Sequence, residues 1–328
     1  MQISKSQIIK SVCFIVVLLG AIAFINYLLV PYSSMMKRFR GFKYDRSQKK
    51  IEALVLGSSE EFDGFDADLM TETLGLNSAV FCVQGGLPQT SYYCLLDALP
   101  HCELKVLIVG YSMLENFVYP HKVYPTNRQA QMYREMLKDS KDNPMLLKTA
   151  IKQILDQRYT FSFFEYAAFP ENITKIKESI KSRKMMKEPW VATEVTSSAP
   201  MSKEHPRDLD AVLSTTFTTS PDLEQIVYIK KIKQICEEKN IELYFISCCY
   251  PDCVINSLPD FEHIVQANKK VFEDLDINFI DTYNENYFPE ATCDENFHDC
   301  WGHHVMKSKL EYSKSVCQWI LDNTKLSW

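Results

Sequence analysis

Short apolar runs recur along the chain, and amphipathic stretches lie between them. Five of these runs show no alternation of apolar and polar residues, which is typical of strands that are covered on both faces. The predicted strands are 51–56, 78–83, 104–109, 243–247 and 277–280. Apolar residues at helical spacing predict helices, which are 66–74, 90–99, 222–239, 261–275 and 303–322. Because strands and helices alternate, the strands are expected to form a parallel sheet.

This order of elements predicts the fold class α/β, as a three-layer flavodoxin-like sandwich with about five parallel strands and a helical insertion. The insertion covers about 115–220, where the alternation stops. It contains the predicted helices 128–138, 144–157 and 172–187 and the aromatic segment 159–166. An insertion beside a sheet edge forms a lid or a partner-binding surface, or it is an ordinary helical elaboration packed on the sheet.

The longest apolar run lies near the amino terminus, where residues 11–30 carry no charge. A helix rises about 1.5 Å per residue, so this run matches the roughly 30 Å hydrocarbon core of a bilayer. We expect residues 1–32 to be a retained transmembrane helix that acts as a single-pass anchor. The alternative is a cleaved signal peptide, although the run is long for one and no small-x-small cleavage site follows it.

A basic segment follows the apolar run, and we interpret residues 33–50 as a linker to a domain that covers 51–328. Such a linker is solvated, or it lies against anionic lipid headgroups. The positive-inside rule counts these charges and would place the carboxyl side of the anchor in the cytoplasm. The basic residues are Lys37, Arg38, Arg40, Lys43, Arg46, Lys49 and Lys50.

Composition narrows the range of partners. The 328-residue chain has a formal net charge of −6 and lacks a basic face with interleaved aromatic residues, so no nucleic acid is expected as a partner. Eleven cysteines are many, and five of them form two clusters in the carboxyl-terminal half. Disulfides would fit an exported protein, and reduced, buried thiols are the alternative. The clusters consist of Cys248, Cys249 and Cys253 and of Cys293 and Cys300.

Ser59 is the candidate nucleophile. It ends the segment Gly57-Ser58-Ser59, directly after the first predicted strand, and α/β folds place their ligands at this edge of the sheet. A serine hydroxyl needs a base to become a nucleophile. If no base stands opposite, Ser59 is a turn or helix-capping serine.

The loop before the last helix offers that base. His298 is the candidate, with Glu295 and Asp294 as candidate acids that orient it, and solvated loop residues are the alternative for all three. The backbone N–H of Ser59 and those of Gly86 or Gly85 are candidate oxyanion donors, since glycine allows close approach of the backbone. The glycine pair could instead mark a simple turn.

Other polar residues near these positions receive a structural interpretation. His303 and His304 are expected to begin the last helix, and the neighbours Glu60 and Glu61 are expected to be solvated. The loop is rich in zinc-ligand types, but the spacing matches no metal motif, so neither a metal nor a cofactor is expected. The ligand types are those of Cys293, Asp294, His298, Cys300, His303 and His304.

Three short motifs in this order resemble the SGNH/GDSL hydrolase superfamily. The sequence GSSEEFDGFDADLM is similar to its first block and GGLPQTSYYCLL to its second. The closing half is resembled by NIELYFISCCYPD, followed by FIDTYNENYF and DENFHDCWGHH. The similarity is greatest to the membrane-anchored branch associated with O-acylation of cell-surface polysaccharides and D-alanylation of teichoic acids. It covers roughly 50–110 and 222–320 and leaves out the insertion.

The resemblance implies a serine esterase or O-acyltransferase that acts on a cell-envelope glycan through an acyl-enzyme. The implied partners are an acylated glycan or acyl donor, the membrane and a polytopic membrane acyltransferase. A glycan substrate implies an extracytoplasmic domain, against the positive-inside rule. The alternative is a catalytically silent partner of a membrane acyltransferase or polysaccharide-export complex, which the lack of the family's third-block asparagine around Val109–Met113 favours.

Overall fold

The structure is a computed structural model that describes residues 4–29, 34–115, 199–202 and 206–324. Its strands are β1 Ala53–Gly57, β2 Ser78–Cys82, β3 Val106–Tyr111, β4 Leu114–Glu115, β5 Thr216–Phe217, β6 Glu242–Ser247 and β7 Asn278–Ile280. Its α-helices are α1 Lys5–Leu29, α2 Ser34–Gln48, α3 Ser59–Gly64, α4 Ala67–Leu74, α5 Pro88–Ala98, α6 Leu209–Leu213, α7 Leu223–Lys239, α8 Asp252–Ile255, α9 Phe261–Asp274 and α10 Met306–Asn323.

Five parallel strands form the central sheet, in the order β2-β1-β3-β6-β7. The predicted α/β class and the predicted parallel sheet of about five strands are therefore confirmed. Every residue of β1 and β3 is buried, as their unbroken apolar sequences predict. The strand order reverses between β1 and β3, and the carboxyl ends of strands at such a switch point border the crevice in which α/β proteins bind ligands.

The helices between the strands begin and end at residues that suit those positions. The Asp66 side chain caps α4 by accepting a hydrogen bond from the Leu69 amide at 3.0 Å, and Asp222 caps α7 in the same way. Gly75 ends α4 in the left-handed conformation, at φ 69°. These local signals explain why the predicted helix boundaries here agree with the structure to within one residue.

The basic segment 33–50 does not form the predicted linker. Most of it is the helix α2, which buries Phe39 and Phe42 against Phe81 of β2. Arg46 pairs with the buried carboxylate of Asp97 at 2.6 Å. The aromatic residues are spaced as one helical face, and they bind this segment to the domain although its overall composition is basic.

The segment α1 contains an 18-residue window, Lys5–Ile22, with a mean hydropathy of 1.8 and no residue buried within the structure. The predicted N-terminal apolar helix is therefore present, and by length and composition it is able to cross a membrane.

The predicted helices of the insertion, 128–138, 144–157 and 172–187, lie outside the described residues, as does the aromatic segment 159–166. At its borders, β4 and β5 pair antiparallel through Leu114 with Phe217 and Glu115 with Thr216. The described residues on the two sides of the insertion are therefore hydrogen-bonded to each other at this point.

Candidate active site

Ser59 lies at the carboxyl edge of the sheet, next to the switch point between β1 and β3. It is the first residue of α3 and follows the N-cap residue Ser58. The side chain is buried, with 7% of the residue exposed. The candidate nucleophile, at the start of a short helix after the first strand, therefore lies where α/β folds place their ligands.

A chain of hydrogen bonds connects Ser59 to a histidine and an acid. The Ser59 Oγ lies 2.9 Å from His303 Nε2, and His303 Nδ1 lies 2.7 Å from Asp299 Oδ2. With the ring proton on Nδ1, His303 donates to Asp299 and accepts from the Ser59 hydroxyl. This is the nucleophile–base–acid arrangement by which serine hydrolases activate a hydroxyl.

A tight reversal of the chain presents His303 to Ser59. Phe297 and His304 form an antiparallel bridge, and the His298 amide donates to the His303 carbonyl at 3.0 Å. Gly302 permits the reversal at φ 88°, where its backbone passes close to the Cys249 carbonyl. Side chains alternate along the two segments of such a bridge. Phe297 and His304 therefore face the core, and His298 and His303 face the sheet edge.

The predicted pairing of Ser59 with His298 is therefore corrected, because the hydrogen bond goes to His303. The His298 ring stacks on the His303 ring at 5.3 Å, and its Nδ1 lies 3.3 Å from Asp299 Oδ2. Within the described part of the chain, neither ring nitrogen of His298 makes a hydrogen bond. His298 is a neighbour of the base and supports its position.

The two predicted acids also lie elsewhere. Asp294 is buried and accepts a hydrogen bond from the Cys253 amide at 2.9 Å, while Glu295 is exposed on a short 3₁₀ turn. The acid that contacts the base is Asp299, which lies four residues before His303. The spacing of four residues equals that of the predicted pair Asp294 and His298, and it is one residue longer than that of Glu295 and His298.

Burial and pairing shift the pKa values of the acid and the base in opposite directions. Burial alone would raise the pKa of Asp299, but the hydrogen bond and positive charge of His303 hold it below its ordinary value. Burial alone would lower the pKa of His303, but Asp299 and Glu60 raise it to about 9. The imidazolium form of His303 is therefore strongly stabilised, which favours its role as a proton acceptor.

His304 is a histidine of the core. It lies against the rings of Phe297 and Tyr312, and burial lowers its pKa to about 3. Neither His303 nor His304 lies in the last helix, since α10 begins at Met306. The prediction that the two begin this helix is wrong, because the reversal described above uses both residues.

Two buried carboxyl groups, those of Glu60 and Glu61, lie next to the candidate nucleophile. Glu60 and Glu61 are each 4% exposed, so the prediction that they are solvated is wrong. Both Ser58 Oγ and Ser59 Oγ lie in hydrogen-bond contact with Glu60 Oε2. Burial, and then the neighbouring charge of Glu61, raise the pKa of Glu60 to about 7. Burial also raises the pKa of Glu61.

Glu61 connects the ends of three strands. Its carboxylate accepts a hydrogen bond from the Ser58 amide at 2.7 Å and another from the Cys248 thiol at 3.1 Å. Any Cβ at Gly57 or Gly110 would collide with this side chain, so glycines at the ends of β1 and β3 provide its space. The loop that carries Ser59 is thereby fixed relative to β3 and β6.

The predicted oxyanion donors are only partly available. The Gly86 amide donates to the Val83 carbonyl at 2.7 Å and is engaged in a turn, so its predicted role as a donor is corrected. A Cβ at Gly86 would lie 2.5 Å from the Gly57 carbonyl oxygen. Close packing against β1 therefore explains why this position is a glycine. Gly85 has a φ of 65°, and its role as a donor stays a prediction.

Three residues at the site could hold a metal ion. Asp63, His298 and His303 each offer a ligand atom, and these atoms lie within 4.8 Å of one another. Among them, His303 already contacts Ser59 and Asp299 through its two ring nitrogens. A metal bound there would displace the base from the nucleophile, so these contacts favour acid–base chemistry at His303.

Sequence reasoning missed Asp299 and His303 as functional residues. Their signal is the pattern Asp-x-x-x-His with a glycine directly before the histidine, in the segment DCWGH. The pattern does not show that Phe297 pairs with His304. This pairing decides which histidine faces Ser59.

No protein-family model matches this chain, and no curated protein matches it.

Proposed function

We propose that this protein is a membrane-anchored, SGNH-like serine esterase or O-acyltransferase that acts on a cell-envelope glycan. The observation that carries the proposal is the hydrogen-bond chain Ser59–His303–Asp299 at the switch point of the parallel sheet. The resemblance of the sequence around Ser59 to the SGNH/GDSL superfamily supplies the reaction class. The proposed fold is the three-layer sandwich expected of that superfamily.

In the proposed reaction, the Ser59 Oγ attacks the carbonyl carbon of an acyl ester, and His303 Nε2 accepts its proton. Asp299 stabilises the imidazolium that forms. His303 then gives the proton to the leaving oxygen, and the acyl group remains as an ester on Ser59. In the second half, His303 takes a proton from water or from a sugar hydroxyl, and the oxygen of that group attacks the acyl carbon. The ester bond to Ser59 then breaks, and His303 returns the proton to Ser59 Oγ.

The base in this scheme acts in its neutral form. Because the pKa of His303 is raised to about 9, most molecules carry a proton on this ring at neutral pH. The neutral fraction grows tenfold for each pH unit until the pH reaches about 9. The proposed activity therefore increases from neutral toward alkaline pH.

The test is labelling of the full chain with a fluorophosphonate probe, followed by peptide mapping of the adduct. Wild type should react at Ser59, and Ser59→Ala should lose the adduct while it keeps its melting temperature. His303→Gln should reduce the labelling rate by about 10³-fold or more. His263→Gln, an exposed histidine on α9, is the matched control and should label at the wild-type rate. Equal labelling of wild type and Ser59→Ala contradicts the proposal.

A second candidate function is a catalytically silent partner of a membrane acyltransferase or polysaccharide-export complex. The engaged amide of Gly86 favours it, because a predicted oxyanion donor is already bonded to Val83. Under this proposal, a polytopic membrane protein co-purifies with wild type and with Ser59→Ala, and glycan acylation in cells is the same for both. Loss of acylation with Ser59→Ala decides for the enzyme.

We place α1 in the membrane and the α/β domain on the extracytoplasmic side. The length and hydropathy of α1 support the anchor. Some of the charges that the positive-inside rule counts are used within the domain, since Arg46 pairs with Asp97 and Arg38 lies 3.5 Å from the centre of the Phe62 ring. These charges have a structural reason to be there, which weakens the argument for a cytoplasmic domain.

A further inference from the structure

We infer that Cys253 and Cys300 form a disulfide, which fastens the loop of Asp299 and His303 to the segment that follows β6. The two sulfur atoms lie 3.5 Å apart. The inference rests on this contact and on the placement of the two thiols. Its consequence for activity and its persistence in the cell rest on the proposed function.

The two cysteines come from elements that already contact each other. Cys253 lies on α8, and its amide donates to the Asp294 carboxylate at 2.9 Å. The Asp252 amide donates to the Thr292 carbonyl at 2.7 Å. These contacts hold the two chain segments in register, so the sulfur atoms need to move by about 1.5 Å to bond.

Cys300 occupies a fixed position within the loop. It is fully buried, its amide donates to the Arg207 carbonyl at 2.9 Å, and its sulfur lies 3.6 Å from the Met201 sulfur. It is also the neighbour of Asp299. A bond to Cys253 would therefore anchor the acid of the proposed triad from one residue away.

The accessibility of the two thiols decides which of them reacts first with an external disulfide. Cys253 is partly exposed, whereas Cys300 is buried. The Cys253 thiolate attacks a sulfur of an external disulfide such as oxidised glutathione and releases one thiol. The Cys300 thiolate then attacks the Cys253 sulfur of the mixed disulfide and releases the second thiol. One external disulfide is reduced to two thiols, and two cysteines are oxidised to one disulfide.

Burial raises the pKa of both thiols, which makes the uncatalysed exchange slow at neutral pH. Once formed, the bond is shielded on the Cys300 side and closes a long stretch of chain between positions 253 and 300. Cross-links that close long stretches restrict the unfolded chain most. The proposed extracytoplasmic domain lies in the kind of compartment in which such bonds persist.

The test uses the full chain in detergent, incubated with oxidised glutathione and then alkylated without reduction. Cleavage on the amino side of aspartate separates the relevant cysteines into the peptides 252–259, 281–293 and 299–321. The expected product joins 252–259 to 299–321, at a mass about 2 Da below the sum of the two peptides with Cys253 and Cys300 reduced and Cys317 alkylated. Fragmentation of the product should place the bond at Cys300 and the alkyl group at Cys317. A bond to Cys293, or alkylation of both Cys253 and Cys300, overturns the inference.

Variants separate the bond from general effects of oxidation. Oxidation should raise the melting temperature of wild type by about 5–10 °C. Cys253→Ser should lose this increase, whereas Cys102→Ser, a partly buried cysteine elsewhere, should keep it. An equal increase in Cys253→Ser also overturns the inference.

The hypothesis of the disulfide and that of the proposed function are tested by separate outcomes. Ser59→Ala should form the same linked peptide as wild type, because Ser59 takes no part in the exchange. If the proposed function holds, labelling of Ser59 in the oxidised protein should persist to temperatures about 5–10 °C higher than in the reduced protein. A linked peptide without any labelling would leave the disulfide standing and contradict the enzyme.

Discussion

At the scale of single residues, the site combines a base with a raised pKa and two acids in opposite states. Asp299 is held ionised by His303, whereas Glu60 is driven toward its neutral form by burial. The sequence places all of these residue types near Ser59 but does not distinguish them. Glu60 and Glu295 are both glutamates in polar stretches, and only packing buries the first and exposes the second.

The pH dependence of labelling follows from the His303–Asp299 pair. For wild type, the rate should rise with pH up to about 9, where His303 becomes neutral. In Asp299→Asn the negative charge is lost, so the rise should move to lower pH while the maximal rate falls by about 10³–10⁴-fold. Labelling rates between pH 6 and 10 measure both effects, and a profile that stays at the same pH in Asp299→Asn would contradict this pairing.

Glu60 should make the folded state less stable as the pH rises. Its pKa is raised from 4.5 to about 7, so the folded protein holds this proton more tightly than the unfolded chain does. The resulting cost is absent below pH 4.5, grows between pH 4.5 and 7, and is complete above pH 7. Glu60→Gln should therefore raise the melting temperature at pH 8 by several degrees and change it little at pH 4.

Thermal unfolding of both proteins across this pH range is the measurement. Glu262→Gln, an exposed glutamate on α9, is the matched control and should show the wild-type dependence. A Glu60→Gln curve parallel to that of wild type would show that this carboxyl group does not titrate as described.

Gly110 should be intolerant of any side chain. Alanine at this position collides with the Glu61 carboxyl, so Gly110→Ala should lower the free energy of unfolding by about 1–3 kcal/mol. Glu61→Ala removes the obstacle, although it also removes the bonds to Ser58 and Cys248. Denaturant unfolding of the two single variants and the double variant should show strong non-additivity, and simple additivity would contradict the collision.

At the scale of elements, the strands of the central sheet were predictable, and the loop that carries Asp299 and His303 was not. Continuous apolar sequence defines β1 and β3 because both of their faces are covered, and the caps Asp66 and Asp222 define helix starts. The loop from Asp294 to Val305 has no such periodicity. Its shape depends on the bridge between Phe297 and His304, which forms because both side chains pack in the core.

The helix α2 should contribute to the stability of the domain. Phe42 stacks on Phe81 with ring centres 4.7 Å apart, and both side chains are buried. Phe42→Ala should lower the free energy of unfolding by about 3–5 kcal/mol because it leaves a cavity. Tyr44→Ala, which changes a 44% exposed side chain on the same helix, is the control and should have an effect within about 0.5 kcal/mol. Similar losses in both variants would show that α2 packs differently.

At the scale of the whole molecule, the proposed anchor and the folded domain form one continuous chain. If α1 is retained, the protein extracted from membranes should have an intact mass that includes residues 1–32, and it should resist extraction by alkaline carbonate. A mass that begins after the apolar run would support a cleaved signal peptide. Protease treatment of intact spheroplasts should digest the domain if it is extracytoplasmic, and full protection would place it in the cytoplasm.

The short interval between α1 and α2 has a consequence for how the proposed enzyme meets its substrate. Only residues 30–33 separate the two helices in the sequence, and four residues reach at most about 14 Å. Because α2 is packed on the domain, the proposed catalytic serine would stay within a limited distance of the lipid surface. For the proposed enzyme, glycan chains that extend far from the membrane would be out of range, so acyl groups would be exchanged on material that is still close to the membrane, before it is carried outward.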